Sequence, residues 1–219
     1  MRLNRLLPAA FTLLIAMPAV AQDWIDYDNR EHFFHVNFPS QPKVQTSTWT
    51  SEYGARLPEH TFRAEARGRQ YIITVVDYTN LERVHAARVK DCPPEVHTGC
   101  TGSESSGVGS WRVDLRGAPL YAARTFLQRD AKITFFGWSF VDLVEGIQIQ
   151  LTNNADQSRT FVGIYMHEDR LYILEATVPR GAPEPGQFQQ SLQFLDKAGE
   201  AIRYQTIYSN GYPRPPRLR

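Results

Sequence analysis

The chain of 219 residues has only two cysteines and three methionines, and no long apolar run occurs after its first two dozen positions. Two cysteines exclude a disulfide-dense scaffold and the paired thiol sets that build most structural zinc sites. Without a later apolar run of about 20 residues, no segment beyond the N-terminus spans a bilayer as a helix. An excess of charge is also missing: 24 Lys and Arg face 23 Asp and Glu. That balance excludes the clearly basic surface of a general nucleic-acid binder. Catalytic signatures are absent too, with no Gly-x-Ser-x-Gly turn, no His-Glu-x-x-His pair, no phosphate-binding loop and no GxGxxG.

What is present begins with residues 1–21, MRLNRLLPAAFTLLIAMPAVA. Arg2 and Arg5 precede an apolar core, Leu6 to Met17, and small residues stand at Ala19 and Ala21. That layout predicts a secretory signal peptide removed after Ala21, because a core of about a dozen residues is short of a membrane span. No cysteine follows the core to carry a lipid anchor. The expected product is a periplasmic or secreted protein with one domain over 22–208 and a flexible Pro/Arg-rich tail over 209–219.

Most of the interior reads as strand. Phe34, Val36 and Phe38 alternate with polar residues, and Val44 to Thr50 is a Thr-rich run that favours strand. Further strands are expected over 56–66 and 70–78. In the second, YIITVVDY, Tyr71, Ile73 and Val75 lie on one face and Ile72, Val76 and Tyr78 on the other, so both faces need cover. Thr79-Asn80 can cap a helix over 81–90. Trp111, Leu115, Ala118 and Ala122 recur at helical spacing and predict a second helix over 111–128, its start open to a shift to Pro119. Four strands follow, over 132–141, 146–152, 160–166 and 171–178, and their short polar links fit antiparallel hairpins. A last helix is expected to bury Phe188, Leu192 and Leu195 and to stop at Gly199, followed by a short strand over 202–208.

Strands in runs with a few helices between them predict an α+β domain, a single antiparallel sheet with helices packed on both faces; a β-sandwich is the runner-up. The order of elements resembles the PsbP/Mog1-like α/β/α sandwich. FFHVNFPSQP (33–42) resembles its opening strand, and RLYILEATVP (170–179) followed by FQQSLQFLD (188–196) is similar to its closing strand and helix. Within that group the chain is similar to the uncharacterised exported bacterial proteins. The resemblance implies an accessory or binding role and transfers no functional residue.

The densest cluster of reactive side chains is DCPPEVHTGC, 91–100. Asp91, Cys92, Glu95, His97 and Cys100 offer zinc-type ligands, yet an oxidising compartment favours pairing of two thiols eight positions apart. A Cys92–Cys100 disulfide is the expectation, stabilising by about 2–3 kcal/mol, with a metal-handling protein centred on this loop as the minor alternative. His32 and His35, three apart on a strand, point to opposite faces, and His60, His85 and His167 are scattered. No catalytic residue, metal site or cofactor is assigned.

Asp142, Glu145, Glu168 and Asp169 fall at hairpin turns. Two of them converging in one cleft would favour a hydrolase of a cell-envelope polymer, and their dispersal would remove that pair. The lead expectation is a non-enzymatic binding module for an envelope protein or small ligand. Its surface is expected in a sheet-and-helix groove lined by aromatics such as Trp138, Tyr165 and Tyr172. The tail, YPRPPRLR, presents Arg214, Arg217 and Arg219 between prolines that hold it extended. It is read as an arm for an anionic partner, a polyproline-type ligand, or a disordered end.

Overall fold

The computed structural model describes residues 24–90 and 110–218. The expected signal peptide, the Cys92–Cys100 loop and Arg219 lie outside the described residues. The strands are β1 (Ile25–Asn29), β2 (Phe34–Phe38), β3 (Lys43–Thr50), β4 (Arg56–Ala66), β5 (Arg69–Asp77), β6 (Ala131–Val141), β7 (Val144–Asn153), β8 (Arg159–His167), β9 (Arg170–Val178) and β10 (Gln193–Phe194). The helices are α1 (Leu81–Lys90), α2 (Ser110–Leu127) and α3 (Gly186–Gln189).

Seven strands form one antiparallel sheet in the order β3-β4-β5-β9-β8-β7-β6, and β1-β2-β10 form a second, smaller one. The doubly apolar β5 sits inside the large sheet and is covered on both faces, as its sequence requires. Different materials provide the cover. On one face Tyr71, Ile73 and Val75 pack against Phe34, Val36 and Phe38 of the small sheet. On the other, Val76 and Tyr78 join Leu81 of α1 and Ala118, Ala122 and Ala123 of α2.

The expected single sheet with helices on both faces is therefore corrected: the chain is β-rich, 48% strand and 18% helix, and one helical layer is replaced by a sheet. The α/β/α layering that the PsbP/Mog1-like resemblance implies is corrected with it. The cause is visible at β2. Its edge hydrogen-bonds the segment read as a terminal helix, pairing Gln193 with His35 and Phe194 with Phe34. The Ser191 hydroxyl accepts the Asn37 N–H at 2.8 Å and donates to the Phe188 carbonyl at 2.8 Å, just where the short α3 ends. Phe188, Leu192 and Leu195 are all buried, as expected, but only Phe188 lies on a helix, the short α3; Leu192 sits in the link to β10 and Leu195 just past that strand. The strand expected over 202–208 reduces to isolated bridges, Tyr204 to Arg217 and Tyr208 to Val144.

Tight hairpins set the register of the large sheet. Asp142-Leu143 and Glu168-Asp169 take positive φ at both positions, 48° and 65°, then 47° and 59°, the backbone of a two-residue type I′ turn. These turns set β6 beside β7 and β8 beside β9 with almost no connecting chain, and residues 154–158 link the two hairpins. On the helical face, α2 runs through Pro119 instead of starting there. Asp114, on the first half of α2 and fully buried, accepts the Ser51 hydroxyl at 2.5 Å and faces His85 Nε2 of α1 at 2.9 Å, tying both helices to the β3–β4 turn.

Candidate functional site

β6, AKITFFGWSFV, is an edge strand that pairs with β7 alone among the described strands. Paired residues share a face. Trp138 opposes Ile147, Phe136 opposes Ile149 and Ile133 opposes Leu151, all three partners belonging to the core beneath the helices. Yet α2 does not reach far enough to cover the edge. Trp138 is 69% exposed, and Ile133, Phe136 and Phe140 are exposed beside it. A groove of about 1160 Å³ opens between this strand and the first half of α2. Trp111, Leu115, Leu120, Trp138 and Ile147 supply its apolar walls, and Arg112, Arg116 and Tyr212 stand at its rim.

Tyr165 goes to the other face. It sits on β8 directly across β7 from the edge: Tyr165 pairs with Gly146, and Gly146 with Ser139. The glycine lets the phenol ring lie over the middle strand, and its hydroxyl reaches the Ser139 hydroxyl at 3.1 Å. A Cβ on Gly163 would stand 3.0 Å from the same ring. Tyr165 is 5% exposed at the bottom of a second hollow, while Tyr172 is 1% exposed and donates to the His32 carbonyl at 2.9 Å. Of the aromatic trio, Trp138 alone lies on the sheet-and-helix groove.

The hairpin carboxylates divide as well. Asp142 faces the second hollow and pairs with Arg203 at 3.9 Å. Glu168 takes Arg217 at 2.5 Å and Arg214 at 3.4 Å. Glu145 and Asp169 both line the Trp138 groove, but Glu145 accepts the Ser209 hydroxyl and Asp169 pairs with Arg214 at 3.7 Å.

The same ion pairs hold the tail down. Gln205 N–H donates to the Pro216 carbonyl at 2.9 Å, and Leu218 N–H to the Arg203 carbonyl at 2.7 Å. Tyr212 lies under the Arg116 guanidinium and accepts its hydrogen bond at 3.0 Å. Arg214 and Arg217 are thus engaged with this chain's own acids.

The histidines also have structural surroundings. His35 faces Asp28 at 2.7 Å, His32 packs on His60, and His85 belongs to the Asp114 knot. His167 stacks on Phe194 and bonds the Tyr204 hydroxyl at 2.7 Å. Burial and the nearby Arg217, Arg214 and Arg170 charges push its pKa down to about 3, so it is neutral. The Ser51, Asp114 and His85 set is not a catalytic triad. The aspartate bridges the other two, whereas nucleophile activation needs the histidine in the middle, and all three are buried. No group of three or more His, Cys, Asp or Glu gathers as a metal site among the described residues.

Fold and groove together define a β-rich, two-sheet domain with an aromatic edge strand, β6, whose outer side is unpaired among the described residues. No family model matches the chain, and a search of curated proteins finds no match. Among the described residues no helix is long and apolar enough to cross a membrane.

Proposed function

We propose that this protein is an exported, non-enzymatic binding module whose groove and open β6 edge take an extended segment of a partner polypeptide. Trp138 carries the reading: a large aromatic, 69% exposed, on an edge strand whose helix-side row is exposed with it. Long apolar edges are normally blunted by charge or proline. On β6 the sole charged residue is Lys132, and there is no proline. A partner strand would pair with the edge backbone while its alternate side chains entered the groove. Export rests on the features of residues 1–21.

Selection of extended peptides from a random display library against the immobilised protein tests the reading. Enriched peptides should alternate apolar and polar residues, and Trp138→Ala should abolish their binding. Enrichment that is indifferent to Trp138→Ala would count against it.

A second reading, hydrolysis of an envelope polymer, draws on Glu145 and Asp169 lining one groove. Their hydrogen bond to Ser209 and ion pair with Arg214 favour a structural role. Turnover of a cell-wall glycan that is lost in Glu145→Gln would establish the enzyme instead.

A further inference from the structure

The second hollow lies on the small-sheet side of β6, β7 and β8. Its volume, about 450 Å³, falls in the span of small-molecule sites, about 300–1,000 Å³. Gln148 lines it from β7, Gln189 and Gln190 from the end of α3, and Gln193 from β10. None of these amide groups makes a side-chain hydrogen bond to another described residue. Each carries two donors and an acceptor with two lone pairs on a planar head. Four unspent amides drawn from three separate elements onto one hollow suit a ligand with many neutral hydrogen-bonding groups.

Charge at the rim narrows the class. Asp142 is matched by Arg203 at 3.9 Å, and Glu184 by Arg159 at 3.6 Å. An anion would meet Asp142 and Glu184, a cation would meet Arg203, and an apolar guest would strand the amides without partners. The floor supplies an apolar patch, Tyr165 with Leu174 and Leu192. A sugar ring has both complements: hydroxyls that each donate and accept, and a C–H face that packs on aromatic and aliphatic carbon.

We propose that this hollow binds a neutral saccharide, its hydroxyls taken by Gln148, Gln189, Gln190 and Gln193 and its C–H face laid on Tyr165 and Leu192. The site is separate from the Trp138 groove and does not depend on the polypeptide reading.

The test is an NMR titration of the ¹⁵N-labelled protein with methyl glucoside, methyl galactoside and N-acetylglucosamine, paired with co-sedimentation on insoluble chitin and purified cell-wall glycan. The first arm reads free sugar and the second reads polymer-borne sugar. The expected result is saturable movement of the glutamine side-chain amides with at least one sugar, or retention on a glycan. Binding should weaken about tenfold or more in Gln148→Ala/Gln193→Ala and in the exposed-site variant Gln190→Ala. Trp138→Ala should leave it unchanged, and circular-dichroism melting should confirm that each variant is folded. Three results would overturn the proposal: no response in either arm, a response that folded glutamine variants leave intact, or stronger movement with N-acetylglycine methylamide, a neutral peptide mimic.

Discussion

Asn210 donates its side-chain amide to the Leu115 carbonyl at 2.7 Å and reaches the Arg116 carbonyl at 3.4 Å. Leu115 is the residue whose carbonyl Pro119, four positions on, leaves without an intrahelical N–H. A residue near the C-terminus thereby repairs a defect in a helix 95 positions away. This explains how α2 continues through a proline, and it fixes the segment that forms one wall of the groove.

Asn210→Ala is expected to cost about 1–2 kcal/mol, since a carbonyl shielded by the packed segment loses its partner. In a Pro119→Ala background the restored N–H should reduce that cost clearly. Urea unfolding of the four proteins as a double-mutant cycle checks it, and strict additivity would contradict the repair.

Asp114→Ala removes the acceptor shared by Ser51 and His85 inside the helical core. Stability should fall by about 3–5 kcal/mol, the cost of leaving buried polar partners unmatched. Denaturant unfolding checks it; a loss under about 1 kcal/mol would mean that the knot does not hold the helices.

His167 is neutral in the folded protein, with a pKa near 3, against 6.5 as the reference value. A depressed histidine contributes stability that is complete above pH 6.5 and is lost as pH falls toward 3. Between pH 6.5 and 5 the loss attributable to His167 should be about 1.5 kcal/mol. Unfolding free energies of wild type and His167→Gln across this range check it. Parallel pH profiles would contradict the assignment.

At Gly146 a Cβ would stand 2.5 Å from the Ile164 carbonyl oxygen and would overlap the Tyr165 ring. Gly146→Ala should therefore destabilise by about 3 kcal/mol or more. Gly181, with positive φ but open space around it, should cost about 1 kcal/mol on the same substitution. Thermal or urea unfolding of the pair separates close approach from backbone strain.

Local pattern was enough to read the meander. β6 to β9 fall within one or two residues of the runs expected from alternation, and α1 matches its expected span. Periodicity also showed that both faces of β5 are covered. It could not show by what, because a buried row of Tyr71, Ile73 and Val75 looks the same beneath a helix or beneath Phe34, Val36 and Phe38. The spacing of Phe188, Leu192 and Leu195 fits helix, but the hydrogen bonds offered by β2 outweigh that local preference. At the site, Trp138 was visible as an aromatic in a strand. Its separation from Tyr165 and Tyr172 needed the pairing register, although glycines inside strands at 146 and 163 already signal close approach. Pro119 advertised a helix start, and nothing local pointed to Asn210 as the group that makes a helix interior tolerable. Gln148, Gln189, Gln190 and Gln193 carry no motif; only the folded chain gathers them.

The polypeptide-binding claim meets its most direct test in amide hydrogen exchange of β6, measured with and without a display-selected peptide. Slowed exchange along β6, no change on the opposite edge strand β3, and loss of the protection in Trp138→Ala is the predicted result. Saturating peptide that protects no β6 amide, or that protects them equally in Trp138→Ala, would contradict it.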